Sequence, residues 1–342
     1  MESEAIGTGG LLNIGFTCYA NAVIQAIRHI QSFDKLFEEG TFEKLLKEDS
    51  KYSVLTKQFG NLLQNLSKIS TKSSVKPMGF WFGFQEASKD SGFEHLNMRA
   101  PHDAHEFLMF LLDSLHESLL KTVSLTITKI DLKSERQNLH QQSLESWKSH
   151  FEKNYSPFVP LIFGLFHVQL ECSNCKNKTN TFDTFNTLKG VMNHEKKVSL
   201  IESILDELNE EVIEGYACDK CAPNRQKATR KTKIWKLPQT LIIVLKRFTF
   251  DGRKIYTPLP EFSSPIDLSS IYSPLSPDKT KENTYILRAT VDHHGGSNGG
   301  HYTAQALHRK ENKWFQYDDQ SVQLIEKADI GSSTYIIILE KV

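Results

Sequence analysis

The sequence predicts an α+β fold, and three observations carry that prediction. Apolar residues recur at helical spacing in the N-terminal third, runs of strand length dominate after about residue 160, and no internal repeat relates the two parts. Helices first and strands later is an α+β ordering, distinct from the regular alternation of a doubly wound fold.

The first predicted helix spans residues 18–30, where Val23, Ile27 and Ile30 fall at three- and four-residue steps, as do Ala20, Ile24 and Ile27. The second spans about 102–120. Its apolar stripe is Ala104, Phe107, Leu108, Leu111, Leu115 and Leu119, and Pro101 suits its start. The Ser/Lys-rich stretch 64–76 reads as a loop. The polar stretch 121–146 has weak periodicity and reads as an inserted or mobile segment. Strands are expected at 161–170, 233–237, 241–250, 285–291, 301–308, 313–317 and 335–340. Residues 263–283, rich in proline and serine, read as a connection.

Composition narrows the function. Of 342 residues, 39% are hydrophobic and 24% charged, the balance of an ordinary globular protein that needs no disulfides to fold. Lysine plus arginine equals aspartate plus glutamate, 41 against 41, which argues against nucleic acid as a partner. The local run Arg225, Lys227, Arg230, Lys231 and Lys233 reads as a solvated face. The first residues lack the basic-then-apolar pattern of a signal peptide, and no apolar run approaches the roughly 18 residues of a membrane span. A soluble intracellular protein, cytoplasmic or nuclear, without a membrane partner is therefore expected.

The cysteines divide into four and one. Cys172-x-x-Cys175 and Cys218-x-x-Cys221 are two pairs separated by 42 residues. Each pair can place two thiolates on a tight turn, and two turns together supply four sulfurs for a tetrahedral structural Zn²⁺. Such a closed site has no open position for chemistry, and a strand or helix must loop out between the pairs.

Cys18 remains. It opens the first predicted helix, where the helix dipole favours the thiolate, and Gly15 lets the backbone turn just before it. A partner comes from the far end of the chain. His301 follows the glycine-rich string 295–300 and enters a strand, and the next strand ends in Asp318-Asp319. A hairpin with its tip near 309–310 would set His301 opposite Asp318, within reach of an imidazole N–H, with Asp319 as the alternative orienter. These residue types make Cys18 a candidate nucleophile, His301 its base and Asp318 the group that orients that base.

Five segments together resemble the ubiquitin-specific protease family. Gly10–Gln25 resembles the family's cysteine box. Asp103–Leu108 resembles the helix that follows a Gln-Gln pair in the family. Trp147–Gly164 lies ahead of the first cysteine pair, Leu237–Phe248 resembles a strand after the second pair, and Gly299–Asp319 resembles the histidine box. The order matches across nearly the whole chain. Phe16 stands where the family usually has Asn, Ala20 and Ala22 where Met and Ser are common, and Pro101-His102 where it has Gln-Gln.

The resemblance implies a papain-like cysteine protease fold with thumb, palm and zinc-ribbon fingers. On that reading residues 1–120 are a helical thumb bearing the nucleophile and 121–160 a helical or inserted segment. Residues 161–248 are the fingers with adjoining palm strands, and 249–342 the palm sheet carrying His301 and Asp318. It also implies that Asn13 is an oxyanion-hole donor, that Asp103 and Glu106 contact the basic ubiquitin tail, and that His293 and Tyr302 line the tail channel. Asp103 and Glu106 share a helix face at i and i+3, although acids at a helix start are also favoured by the dipole alone.

The expected activity is hydrolysis of the (iso)peptide bond after the terminal glycine of ubiquitin, with ubiquitin and ubiquitinated proteins as partners. Two alternatives remain: a ubiquitin-binding pseudoenzyme or scaffold, and a protease for another modifier ending in Gly-Gly. The glycine string Gly295–Gly300 would also permit control by an activating partner protein.

Overall fold

The computed structural model describes residues 5–128, 131–260, 262, 264–296 and 299–342. Its N-terminal part is helical. A short strand β1 (Gly10–Leu11) leads into α1 (Cys18–Ile27), followed by α2 (Gln31–Leu36), α3 (Ser53–Leu66), β2 (Ser74–Val75), α4 (Met78–Ser88) and α5 (Ala104–Ser118). β2 pairs in parallel with β1. Every residue of α1 is buried, so it is the hub of this part and packs against α5 on one side and the C-terminal sheet on the other. The predicted 18–30 helix thus ends earlier, at Ile27, and a new helix starts at Gln31.

The helix α4 escapes a periodicity search for a physical reason, whereas α3 carries Leu55, Phe59, Leu62, Leu63 and Leu66 at helical spacing on one buried face. The sequence of α4 is apolar on nearly all sides, and its Gly83 presses against α3 so closely that an added Cβ would lie 3.0 Å from Leu55 Cα. An aromatic cluster locks α4 onto α5, with Phe84 5.3 Å from Phe107 and 5.1 Å from Phe110 between ring centroids. Such pairs contribute about 0.5–1.5 kcal/mol beyond burial.

The polar stretch expected to be an insert instead holds α6 (Glu135–Phe151). Ser134 caps it by accepting from the Gln137 N–H, and only Leu139, Ser143 and Phe151 are buried, which is why its apolar period is faint. The short helix α7 (Phe158–Ile162) then occupies the start of the first expected strand, which begins later as β3 (Gly164–Cys172).

Two sheets follow. The chain runs through β4 (Lys178–Phe185), β5 (Leu188–Val191), α8 (Leu200–Glu207), β6 (Glu211–Tyr216), β7 (Gln226–Lys236) and β8 (Thr240–Lys246). It continues through β9 (Ile266–Asp267), β10 (Thr284–Gly296), β11 (Gly299–His308), β12 (Lys313–Asp318), β13 (Ser321–Ile325) and β14 (Thr334–Lys341). The smaller sheet has the order β4-β3-β7-β6, and the larger the order β13-β12-β11-β10-β14-β8-β5 with β9 beside β10.

The larger sheet is covered on both faces. Ile242, Val244, Ile336 and Ile338 point into one core with the N-terminal helices, while Leu241, Ile243, Leu245, Ile337 and Leu339 point into a second core with α8. That is why β8 and β14 read as continuous apolar runs without visible alternation. On the smaller sheet the basic run is paired across strands: Lys227 with Glu214 at 2.7 Å, Arg230 with Glu211 at 2.9 Å and Lys231 with Glu210 at 2.9 Å. It is a solvated strand face with its own counter-charges. Among the described residues no helix is long and apolar enough to cross a membrane.

Candidate active site

Cys18 is the first residue of α1 and is nearly buried. The turn before it is forced by a close approach. Gly15 sits at φ 155°, and a Cβ there would meet Met98 O at 2.3 Å. The Asn13 side-chain oxygen ties this turn together by accepting from the Gly15 N–H, the Thr17 N–H and the Thr17 hydroxyl, each at 3.2 Å. Thr17 thus braces the turn instead of capping the helix with its side chain.

His301 arrives on β11, paired with His294 of β10. Its Nε2 lies 2.6 Å from Asp318 Oδ1. The route differs from the expected hairpin. Strands β11 and β12 pair Ala304 with Tyr317 and Gln305 with Gln316, the connection runs through 309–312, and Asn312 adopts φ 51°. The register is therefore shifted by two residues from the expected one, and the His301–Asp318 contact is diagonal. A long imidazole spans that offset. Interaction with Cys18, and then the bond to Asp318, raise the His301 pKa from 6.5 to about 9 against the opposing effect of burial.

Asp319 does something other than orient the imidazole. Its Oδ2 accepts from Asn13 Nδ2 at 2.8 Å, and its Oδ1 accepts from Asn21 Nδ2 at 2.7 Å. It can aim this way because it sits at φ 50°, a left-handed turn conformation that aspartate tolerates. Sequence reasoning missed Asn21, although a polar residue three positions after Cys18 in an otherwise buried helix was a usable signal.

A cleft of about 320 Å³ opens at Cys18. Tyr19, His102, Asp103, Phe248, His293, Tyr302 and the glycines 296, 299 and 300 form its walls. The structure thus gathers Cys18, Asp103, His293 and Tyr302 around one cleft. Both Asp103 oxygens are engaged: Oδ1 caps α5 by accepting from the His105 and Glu106 N–H groups, and Oδ2 accepts from the Tyr335 hydroxyl at 2.8 Å. Glu106 is not part of the wall and pairs with His95 at 2.9 Å.

The glycine hairpin is held from behind by a group no sequence pattern suggested. Lys254 Nζ donates to His293 O at 2.5 Å, to His293 Nδ1 at 3.0 Å and to Gly295 O at 3.1 Å, and the Tyr256 hydroxyl donates to Gly295 O at 3.2 Å. Burial and the adjacent Lys254 push the His293 pKa down to about 4, so its ring is neutral and Nδ1 can accept. Burial likewise lowers Lys254 to about 8. The expected glycine string Gly295–Gly300 includes residues 297 and 298, which lie outside the described residues.

The other four cysteines meet at the tip of the smaller sheet. The sulfurs of Cys172, Cys175, Cys218 and Cys221 lie within 4.8 Å of one another. Two of the separations are 3.9 Å (Cys172–Cys221) and 3.5 Å (Cys175–Cys218). A tetrahedron of sulfurs about 2.3 Å from a metal has edges of about 3.8 Å, so the cluster has the dimensions to bind one ion. The chain between the pairs is looped out as β4, β5, α8 and β6.

The family description "Ubiquitin carboxyl-terminal hydrolase" matches residues 9–338. The chain is 29% identical over 348 residues to ubiquitin carboxyl-terminal hydrolase Usp2 of Drosophila melanogaster, covering 99% of this chain and 35% of that protein. It is 29% identical to ubiquitin carboxyl-terminal hydrolase 4 of Candida glabrata, covering 98% and 41%. Against human ubiquitin carboxyl-terminal hydrolase 2 the identity is 26%, covering 99% and 56%. The chain therefore spans between about a third and just over half the length of these relatives. In fold it is similar to a chain of the SAGA DUB module Ubp8/Sgf11/Sus1/Sgf73 bound to monoubiquitin, with a TM-score of 0.74 at 20% identity, covering 100% of this chain and 72% of that one. The same module bound to ubiquitin aldehyde gives 0.73 at 22% identity, covering 100% and 71%. With a mixed helix-and-sheet fold of this kind and a family match across nearly its whole length, the chain belongs to the ubiquitin carboxyl-terminal hydrolase family.

Proposed function

We propose that this chain is a cysteine deubiquitinase that hydrolyses the (iso)peptide bond after the C-terminal glycine of ubiquitin, with Cys18, His301 and Asp318 as its triad. The observation that carries the reading is His301 held by Asp318 at 2.6 Å, with its protonation favoured by Cys18, which opens α1 in the wall of a cleft.

The chemistry follows from those contacts. Asp318 accepts from Nε2–H and so leaves Nδ1 for the thiol. The imidazole takes the Cys18 proton and, with its own pKa raised to about 9, holds it as the sulfur attacks. The thiolate attacks the glycine carbonyl. Charge developing on its oxygen is met by the Cys18 backbone N–H and by Asn13, whose second amide N–H is not needed for the bond to Asp319. His301 then protonates the leaving amine, and water cleaves the thioester.

Substrate grip is assigned to the cleft walls. His293, Tyr302 and the glycines are assigned to a tail without bulky side chains, and Asp103 in the wall, with Glu106 three residues on and outside it, is assigned the negative charge that meets a basic tail. Ubiquitin as the modifier is supported by the relatives' names and by the monoubiquitin and ubiquitin aldehyde bound to the SAGA DUB module. That module also contains Sgf11, Sus1 and Sgf73, which supports a partner protein for this chain as well. The four-cysteine cluster is proposed to hold a structural Zn²⁺ that braces the smaller sheet and takes no part in the chemistry.

The test is turnover of a fluorogenic amide of the ubiquitin C-terminus by the purified chain. Release of the fluorophore that is lost in Cys18→Ala and His301→Ala supports the reading. Binding of ubiquitin without turnover by the intact chain, alone or with lysate added, would instead indicate a ubiquitin-binding scaffold.

A further inference from the structure

A second cavity of about 270 Å³ lies between α6, the base of the smaller sheet and the segment 277–281. It shares no wall residue with the Cys18 cleft. Its floor is apolar, built from Leu144, Trp147, Leu165 and Trp235. Its unusual group is Lys236. The ammonium sits 3.7 Å above the Trp147 ring on a half-buried side chain, yet among the described residues it forms no ion pair. Asp278, the acid closest to it in effect, is already paired with Lys281 at 2.6 Å.

A half-buried cation set against a ring face keeps donors free for an occupant, because an ammonium has three donors and a ring offers at most one. A second polar atom there is also unmatched: His140 Nδ1 is buried without a partner. The cavity wall carries two cations, Lys236 and Lys281, against one acid, Asp278. The wall therefore combines an apolar floor with excess positive charge.

We propose that this cavity is a docking site for a partner protein's peptide segment in which an aromatic or aliphatic side chain is followed by an acidic residue. The apolar side chain enters between Trp147 and Trp235. The carboxylate reaches Lys236 Nζ and supplies the missing acceptor, a charge-assisted bond in a partly desolvated place. An occupant of this cavity would touch none of the residues that line the Cys18 cleft. The inference does not depend on the activity proposed above.

The chain has four tryptophans, of which Trp147 and Trp235 line the cavity while Trp81 and Trp314 lie elsewhere. The protein labelled with 5-fluorotryptophan is titrated with the peptide acetyl-Gly-Phe-Asp-Gly-amide, with its Asn counterpart, and with 3-phenylpropionate. Expected are fluorine shifts at Trp147 and Trp235 alone. The Asp peptide should bind at least 10-fold tighter than the Asn peptide, and Lys236→Met should abolish that difference. Lys281→Gln, at the exposed rim, should weaken the Asp peptide several-fold and guards against misfolding of the first variant. No shift at millimolar peptide, or equal binding of both peptides, would overturn the proposal. Binding of 3-phenylpropionate alone would overturn the peptide as occupant.

Discussion

Asp319 holds Asn13, with 2.8 Å between Asp319 Oδ2 and Asn13 Nδ2, while its other oxygen holds Asn21. On the proposed role of Asn13 as oxyanion donor, the acid next to Asp318 is a positioning residue for that donor. Asp319→Ala is expected to lower kcat about 10- to 100-fold with a small change in KM, and Asn13→Ala to lower it about 100-fold or more, the typical effect of losing such a donor. The His301 titration should be nearly unchanged in Asp319→Ala. An Asp319→Ala enzyme with wild-type kcat would show that Asn13 needs no positioning.

The protonation of His301 sets a pH window. Its pKa is raised from 6.5 to about 9, so the contribution to folding stability is fully present below about pH 6.5 and is lost as pH rises through about 9. Turnover should fall over the same upper limb. Because interaction with Cys18 is the largest cause of the shift, Cys18→Ala should move the His301 pKa back toward its ordinary value, while Asp318→Asn should lower it by less. Imidazole resonances followed against pH check both. An unchanged His301 titration in Cys18→Ala would contradict the pairing.

Lys254 ties the glycine hairpin to the segment behind it. Lys254→Met keeps the stem but leaves the His293 and Gly295 carbonyls without their shared donor. Faster amide exchange at the described ends of the hairpin and a roughly 10-fold lower kcat/KM are expected, since positioned walls are worth about that much. Tyr256→Phe removes one bond and should do less.

The cysteine cluster should bind one zinc ion per chain. Cys218→Ser should lose the metal and lower the melting temperature, because this buried sulfur helps join two ends of a long excursion. Elemental analysis and a melting curve decide it. A metal-free wild-type chain with unchanged stability and turnover would remove zinc from the account.

Legibility in the sequence followed physical rules. α1 and α5 were visible because each presents apolar residues at helical spacing, and the strands β8, β10 and β14 because each carries an apolar run. α4 was not, because aromatic residues surround it, and α6 was not, because it buries so little. Its Ser134 followed by Gln137 was a readable start signal. At the site, residue types and order brought Cys18, His301 and the Asp318-Asp319 pair into view. Which acid meets the ring was decided by a register shifted by two residues and a left-handed turn at Asp319, neither of which a pairing rule contains. Lys254 left no trace, because a buried lysine looks like any other until its three acceptors are placed.

The central claim is that Cys18 attacks the ubiquitin terminus. The most direct measurement is intact mass after mixing the chain with ubiquitin carrying a thiol-reactive group at its C-terminus. Expected is one added ubiquitin per chain, located at Cys18 by peptide mapping and absent in Cys18→Ala. An adduct at one of the other four cysteines, or one that survives in Cys18→Ala, would contradict the claim.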